Sequence, residues 1–307
     1  MTGSQFDMVT ILGPTASGKT EVAVNLAYIL GGEVISADSR QVYREMDLGT
    51  GKDIEEYQVN GTDVPYHLID IAEPGYQYNV FEFQRDFLKV YGDLKERKKF
   101  PVLCGGSGMY LEAILKGYRL IQVPVNEQRR IELQLLTLDE LVELLKSYKS
   151  INNTSDTENR KRAMRAIEIE EFCIANPGTD LSFPVINSLI VGVKYDRDSR
   201  RRRITARLKQ RLENGMVDEV EKLLAKGLKP DDLIYYGLEY KYLTNYIMGE
   251  SSFDEMFEGL NVAIHQFAKR QMTWFRKMER DGFNIRWLDG YMPLSEKTDK
   301  ILSWLNP

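Results

Sequence analysis

The first 117 residues alternate short apolar runs with longer amphipathic segments. Continuous apolar runs are typical of strands buried on both faces of a parallel sheet, whereas apolar residues at intervals of three and four predict helices. The predicted strands span residues 8–12, 33–37, 67–71 and 101–104, and the predicted helices span residues 19–30 and 79–97. Alternating strands and helices imply right-handed crossovers and helices on both sheet faces. This pattern predicts an α/β fold with a doubly wound parallel sheet.

The pattern changes near Tyr118, where the chain becomes charged and helical without a convincing strand up to about Asn176. Strand character returns over residues 186–195, and a last short strand is predicted at residues 284–287. Residues 152–156 form a polar segment that predicts a loop. We therefore expect an α/β core formed by residues 1–117 and 195–307, interrupted by a mostly helical inserted domain over residues 118–194.

Composition narrows the class of protein. The chain has 307 residues, 43% hydrophobic and 28% charged, which suits one large globular domain with a small insertion. Two cysteines and two histidines lie far apart in sequence, which argues against a zinc finger or a disulfide framework. No apolar stretch approaches the roughly 20 residues that span a bilayer, and no signal peptide is visible. We expect a cytoplasmic monomer with no membrane partner.

A phosphate-binding motif follows the first predicted strand. It matches G-x-x-x-x-G-K-S/T in full and consists of Gly13, Pro14, Thr15, Ala16, Ser17, Gly18, Lys19 and Thr20. Such a loop holds phosphate oxygens with backbone N–H groups at a helix N-terminus. Lys19 adds a cation, and the Thr20 hydroxyl can bind Mg²⁺, which is therefore the expected cofactor. The motif predicts nucleotide binding, with ATP the common ligand, but another diphosphate would satisfy the same donors.

Two further loops are expected at the edge of the sheet where the phosphate loop lies. Asp38 ends the second predicted strand, where a carboxylate can act as a general base, assist Mg²⁺ or cap the next helix. The sequence leaves these roles open. Residues 105–108, Gly-Gly-Ser-Gly, end the fourth strand and open another helix, a second place where backbone and a hydroxyl can meet a phosphate.

Basic clusters interrupt a chain whose formal net charge is −5. The first contains Arg200, Arg201, Arg202, Arg203, Arg207, Lys209 and Arg211. In it, Arg203, Arg207 and Arg211 share one helical face. The second contains Arg160, Lys161, Arg162 and Arg165, and the third contains Lys269, Arg270, Arg276 and Lys277. One such cluster is usually a solvated helix face, but three in an acidic protein favour a local polyanion site.

The chain resembles the tRNA dimethylallyltransferases, which modify the adenosine next to the anticodon. The resemblance covers nearly the whole chain. Its motifs are GPTASGKT at 13–20, ISADSRQVYREMDLGTGK at 35–52, YHLIDI at 66–71, CGGSGMYLEAILKG at 104–117, RKRAMRAIEI at 160–169, RRRITARL at 201–208 and AKRQMTWFR at 268–276. The 35–52 block is more specific than the phosphate loop. The zinc finger of eukaryotic members is missing, which indicates a bacterial-type enzyme.

The resemblance implies that the phosphate loop holds dimethylallyl diphosphate and that N6 of the tRNA adenosine attacks its C1, releasing diphosphate. It gives catalytic roles to Asp38, which would accept the N6 proton, and to Lys19, Ser107 and Arg203, which would stabilise the leaving diphosphate with Mg²⁺ on Thr20. It implies that the insertion grips the anticodon stem-loop. The implied tRNA contacts are Asp38, Ser39, Arg40, Gln41, Lys161, Arg162, Ala163, Met164 and Arg165.

Two departures from the family pattern stand out. The stretch before residue 160 lacks the usual Ile-His-Pro-Asn character, and the run near Gly237 reads Gly-Leu-Glu-Tyr. Three other functions share parts of the pattern: a small-molecule P-loop kinase, an adenylate (free nucleotide) isopentenyltransferase and a nucleotide switch that binds RNA without chemistry. The helical insertion and its basic residues favour tRNA over a free nucleotide.

Overall fold

A computed structural model describes residues 5–118, 120–151, 155–177 and 182–305. The chain forms two compact units: a core unit, Met1–Tyr118 with Pro184–Pro307, and an insertion unit, Arg119–Phe183. The predicted insertion extended to residue 194, which is too far. Residues 188–194 form a strand that pairs with the first strand of the core unit, so they are part of its sheet.

The elements follow the predicted alternation closely. The strands are β1 (Met8–Leu12), β2 (Glu33–Ser36), β3 (Gln58–Val59), β4 (Thr62–Asp63), β5 (Tyr66–His67), β6 (Pro101–Gly105), β7 (Ser188–Lys194) and β8 (Arg286–Asp289). The helices are α1 (Lys19–Leu30), α2 (Val80–Glu96), α3 (Gly108–Leu115), α4 (Glu127–Leu133), α5 (Leu138–Tyr148), α6 (Arg160–Ala175), α7 (Arg197–Glu213), α8 (Met216–Ala225), α9 (Pro230–Tyr235), α10 (Leu238–Ile247), α11 (Phe253–Arg280) and α12 (Leu294–Leu305). Short 3₁₀ turns cover Ile54–Tyr57 and Ser155–Thr157.

Six strands form one parallel sheet in the order β5-β2-β6-β1-β7-β8. Every residue of β1, β2 and β6 is buried, as the largely apolar sequences of β1 and β6 predict for a parallel sheet, although β2 also buries Glu33 and Ser36. Strands lie on both sides of β1, so the sheet is doubly wound. The predicted fold class is confirmed. Because all six strands run the same way, the loops that follow β1, β2 and β6 meet at one edge.

The third predicted strand is shorter than expected. Pairing with β2 stops at His67, and Leu68 and Asp70 take left-handed backbone conformations, with φ of 62° and 55°. The backbone N–H groups of Asp70 and Ile71 bond to the loop after β2 instead. Asp70 N donates to the Gln41 carbonyl, and Ile71 N donates to the Val42 carbonyl. This segment therefore supports the loop after β2 instead of extending the sheet. The small hairpin β3–β4 was not predicted, and the last strand begins two residues later than expected.

The insertion unit is helical, as its charged periodic sequence predicts. α5 and α6 pack through a small hydrophobic core that includes Leu141, Leu145, Ala163 and Ile167. Thr137 and Glu140 form a capping box that fixes the start of α5. Three residues of the predicted polar loop, Asn152, Asn153 and Thr154, lie outside the described residues. Across the described ranges, no helix is long and apolar enough to cross a membrane.

Candidate active site

A cavity of about 1340 Å³ opens in the core unit beyond the carboxyl ends of β1, β2 and β6. The loops after these three strands supply its floor, and side chains of α7, α10 and α11 line its walls. This edge is where ligands bind in open α/β sheets. The loops that the sequence singled out as chemical therefore lie around one cavity.

The phosphate loop begins after β1 and ends in the first turn of α1. Ala16 and Gly18 both take positive φ values, 60° and 75°, which curls the backbone around the helix N-terminus. The Ser17 hydroxyl is buried and has no hydrogen-bond partner among the described residues. A buried hydroxyl without a partner is costly. It fits a loop whose polar groups are completed by an anion.

Lys19 is part of this loop and is the first residue of α1. Burial lowers the pKa of its ammonium group, while the nearby Cys104 thiol and Asp38 carboxylate oppose that shift. Both Lys19 and Asp38 line the cavity. A desolvated cation interacts strongly with an approaching anion, because little water screens it.

Asp38 belongs to a turn. Its Oδ1 accepts a hydrogen bond from the backbone N–H of Arg40 at 2.9 Å. Turns follow it, and the next helical segment starts only at Ile54. The helix-cap alternative is therefore wrong. General base and Mg²⁺ partner remain as its possible roles. Arg40, the next cavity-lining cation, stacks over the Tyr235 ring at 5.4 Å.

Ser107 joins two of the three loops. Its hydroxyl accepts a hydrogen bond from the Ser39 backbone N–H at 3.0 Å and donates to the Ser39 hydroxyl at 3.3 Å. It therefore does not cap α3, although it stands at the N-cap position. The arrangement holds the Ser107 hydroxyl beside the Asp38 turn.

Hydrogen bonds to other groups of the chain fix the Gln41 side chain and the loop that follows it. The Gln41 side-chain amide donates to the Gly51 carbonyl at 2.9 Å and accepts from the Ser36 hydroxyl at 3.0 Å. Lys52, only 1% exposed, donates to the Tyr43 carbonyl and to Asp47, each at 2.6 Å, and also pairs with Asp70. These contacts shape the loop that presents Asp38. The sequence did not single out Lys52, although it ends the most specific motif.

Arg203, Arg207 and Arg211 line the cavity from one face of α7, as their spacing predicts. Arg203 Nε donates to the Ala16 carbonyl at 3.0 Å, and its guanidinium stacks over the Tyr195 ring at 4.5 Å. Arg207 and Arg211 both pair with Asp53.

The Asp53 carboxylate was not predicted as a site residue. Burial would raise its pKa, but Arg207 and Arg211 outweigh that effect and hold it below the usual value. It lies in the turn before the 3₁₀ segment and lines the cavity, 154 residues from Arg207 in sequence. No local sequence pattern indicates such a pair.

Three more cavity residues were missed. Burial raises the pKa of Glu239, despite the nearby Arg211. The Trp274 indole N–H is buried without a partner in the described structure. Gln271 bonds to two loops at once. Gln271 and Trp274 fall within the AKRQMTWFR motif, in which the basic residues alone suggested a function.

The predicted RNA contacts of the insertion unit lie in the first turns of α6. Arg162 pairs with Glu158, and Arg165 pairs with Glu168 at 3.0 Å. Lys161 is exposed and Met164 is half-buried. Ala163 is fully buried in the core of the unit, so the predicted RNA contact is wrong for this residue, which packs instead.

Thr20 is the only predicted metal ligand, and it lines the same cavity as Asp38. Within the described ranges, no group of three His, Cys, Asp or Glu side chains could hold a metal ion. Mg²⁺ commonly keeps several waters and binds through one or two protein oxygens plus substrate phosphates. A single hydroxyl beside a phosphate loop fits that mode of binding.

Comparisons with known proteins agree with this site. Residues 41–278 match the family model described as IPP transferase. The chain is 61% identical over 301 residues to tRNA dimethylallyltransferase 2 of Bacteroides fragilis, covering 98% of each chain, and 58% identical over 301 residues to tRNA dimethylallyltransferase 1 of Parabacteroides distasonis, again covering 98% of each.

Solved structures show the same architecture. The tRNA isopentenylpyrophosphate transferase of Bacillus halodurans superposes with a TM-score of 0.71 at 33% identity, covering 98% of this chain and 95% of that one. A eukaryotic dimethylallyltransferase acting on tRNA, at 20% identity, shares the fold with a TM-score of 0.77, covering 94% and 75%. The predicted resemblance and enzyme class are confirmed, and the chain belongs to the IPP transferase family of prenyltransferases.

Proposed function

We propose that the protein transfers the dimethylallyl group of dimethylallyl diphosphate to N6 of the adenosine 3′-adjacent to the anticodon of tRNA, with release of diphosphate. One observation carries this most directly: a phosphate loop and a carboxylate turn face one cavity, where Ser107 ties the carboxylate turn to the loop after β6. A diphosphate donor and a nucleophile with a proton to lose need those two features side by side.

The donor side stabilises the leaving group. The backbone N–H groups of the phosphate loop, the Ser17 hydroxyl and Lys19 would bind the diphosphate oxygens. Arg203, anchored to the loop at Ala16, would add a second cation. Negative charge grows on the diphosphate as the C1–O bond breaks, and fixed donors aimed at it lower the barrier. Bound Mg²⁺, held by Thr20 and the diphosphate, would neutralise part of the same charge.

The acceptor side handles the proton. The N6 lone pair forms the new bond to C1, the C1–O bond electrons leave with diphosphate, and Asp38 takes the N6 proton. The N6 lone pair is delocalised into the adenine ring, so this amine is a weak nucleophile. A carboxylate hydrogen-bonded to its N–H raises electron density at nitrogen as the bond forms.

The RNA must deliver a single base to this cavity. An adenosine stacked in the anticodon loop cannot reach such a site, so it has to swing out of its stack. Ser39 and Arg40 would meet the flipped base and its neighbours. Lys161, Arg162, Met164 and Arg165 would contact the anticodon stem-loop through the insertion unit.

One incubation separates this proposal from its alternatives. Purified protein is mixed with Mg²⁺, labelled dimethylallyl diphosphate and either tRNA or AMP, and a parallel reaction monitors ATP hydrolysis. We expect label only in tRNA. Label in AMP would indicate the free-nucleotide enzyme, ATP turnover a kinase, and ATP or GTP binding without label transfer a nucleotide switch.

The role of Asp38 has its own test. Asp38→Asn keeps the shape and an acceptor oxygen but removes the base, so kcat should fall by about 10²–10⁴-fold, the usual range for general-base catalysis. Affinity for dimethylallyl diphosphate should stay near that of the wild type, measured by titration calorimetry. If that affinity falls together with kcat, Asp38 is instead a Mg²⁺ partner.

A further inference from the structure

Gln271 connects two loops of the cavity that are far apart in sequence. Its Oε1 accepts a hydrogen bond from the Thr15 backbone N–H at 2.9 Å, and its Nε2 donates to the Gly106 carbonyl at 3.0 Å. Thr15 belongs to the phosphate loop, and Gly106 belongs to the loop after β6. One side chain of α11 therefore ties both loops to the same helix.

The fit around this amide is close. Gln271 is 7% exposed, and a Cβ built on Gly106 would lie 2.5 Å from its Nε2, so only glycine leaves room for it. Both ends of the amide are used, which fixes its orientation. A buried glutamine satisfied at both ends loses more than one bond when it is replaced, because each backbone partner is then left unpaired.

The connection continues beyond Gly106. The next residue, Ser107, accepts a hydrogen bond from Ser39 N at 3.0 Å, and Ser39 directly follows Asp38. A continuous path of hydrogen bonds and peptide links thus runs from the phosphate loop to the carboxylate turn. The path joins the part of the cavity suited to diphosphate to the part suited to the nucleophile.

We propose that Gln271 is a positioning residue that sets the distance between the bound diphosphate and Asp38. This rests on the proposed function, in which C1 must sit in line between the leaving oxygen and N6. A misplacement of about 1 Å can cost on the order of 10²-fold in rate without abolishing binding. Gln271 itself does not have to touch either substrate.

Two substitutions isolate this role. Gln271→Met keeps the length of the side chain but lacks the amide, and Gln271→Asn keeps the amide but is too short to reach both loops. Each should lower kcat by on the order of 10²-fold while the KM for dimethylallyl diphosphate changes little. Gln266→Met is the matched control, because Gln266 lies exposed on the same helix. This control should retain wild-type kinetics.

Steady-state kinetics with saturating tRNA would be combined with thermal melts and with calorimetric titration of inorganic diphosphate. The melts show that each variant folds, and the titration measures the affinity of the phosphate loop for diphosphate in the absence of catalysis. Unchanged kcat in both Gln271 variants, or a raised KM with normal kcat, would overturn the positioning role. Failure of the wild-type protein to transfer label would instead refute the proposed function, so the two failures are distinguishable.

Discussion

In the insertion unit, arginines face glutamates of the same unit, whereas several arginines on α7 and α11 of the core unit have no acidic partner in the described part of the chain. Glu168, only 4% exposed, pairs with both Arg130 and Arg165, and Glu171 pairs with Arg129. On α7, burial lowers the pKa of Arg200, and the neighbouring Arg276 and Arg197 lower it further. The nearby Asp196 opposes this shift, yet Arg200 forms no ion pair with it or with any other described carboxylate.

Similar clusters in the sequence therefore serve different purposes. Arginines that already bond to glutamates have less charge available for an RNA phosphate, and the pairs of Arg129 and Arg130 hold α4 against α6. Apart from Arg207 and Arg211, which pair with Asp53, the arginines of α7 and α11 have no acidic partner among the described residues, so they are the better candidates for a polyanion. Counting basic residues in a sequence cannot distinguish the two, since the acidic partner decides the outcome.

The largest effect is expected at Lys19, the desolvated cation of the cavity. Lys19→Ala should reduce transfer by on the order of 10²–10³-fold, as loss of one charge-stabilising donor does at other sites. The melting temperature should change little, because the loop is accessible from the cavity. Single-turnover transfer to tRNA measures the effect. Near-normal turnover would remove Lys19 from the catalytic group.

The second-largest effect is expected at Glu168, the buried carboxylate of the insertion unit. Glu168→Gln leaves Arg130 and Arg165 without their counter-charge, and should destabilise the protein by about 1–3 kcal/mol at neutral pH. Burial would raise the pKa of Glu168, but the two arginines hold it below the usual value. Its stabilising contribution is therefore present above the unfolded pKa and disappears as the pH falls through the lowered one.

Urea unfolding at several pH values measures the difference in free energy of unfolding between Glu168→Gln and the wild type. The two stabilities should converge at acid pH. Equal stability at neutral pH would mean that the arginines of the insertion unit are free after all, and the contrast with the core unit would disappear.

The smallest effects concern RNA affinity. Replacing Arg200 and Arg276 by alanine should make the plot of log affinity against log salt less steep, by about 0.7–0.9 for each RNA phosphate that these arginines neutralise. Replacing Lys161, Arg162 and Arg165 together should reduce the slope less, because two of the three are paired with glutamates. Fluorescence titrations over a range of KCl concentrations give both slopes.

Donor affinity serves as the control in these titrations and should not change in either variant. If the insertion triple variant shows the larger loss of tRNA affinity, the ion pairs of Arg162 with Glu158 and of Arg165 with Glu168 must open when RNA binds. The unpaired surface of α7 and α11 would then have another purpose.

Sequence patterns predicted those parts of the fold that depend on local order. β1 and α1 coincide with their predicted bounds, because a buried apolar strand, a phosphate motif and an amphipathic helix are each encoded within a few residues. The third strand was predicted too long, because Asp70 bonds with Lys52 and Gln41 outside the sheet. These contacts join separate segments of the chain, so no short stretch of sequence predicts them.

The same limit applies to the site. Lys19, Asp38, Ser107 and Arg203 were all named from the sequence, and the structure brings them to one cavity. Gln271 was missed because its partner Thr15 lies 256 residues away. Ala163 was named wrongly because family position does not tell which face of α6 is buried.

The pairing of Asp53 with Arg207 and Arg211 has a consequence for how the cavity meets an anion. Three guanidinium groups on one helical face repel each other, and a carboxylate of the same chain offsets that repulsion. Folding alone therefore assembles the row of cations, with no help from a ligand. The proposed diphosphate would therefore meet cations already held in position, and little of its binding energy would be used to reorganise the protein.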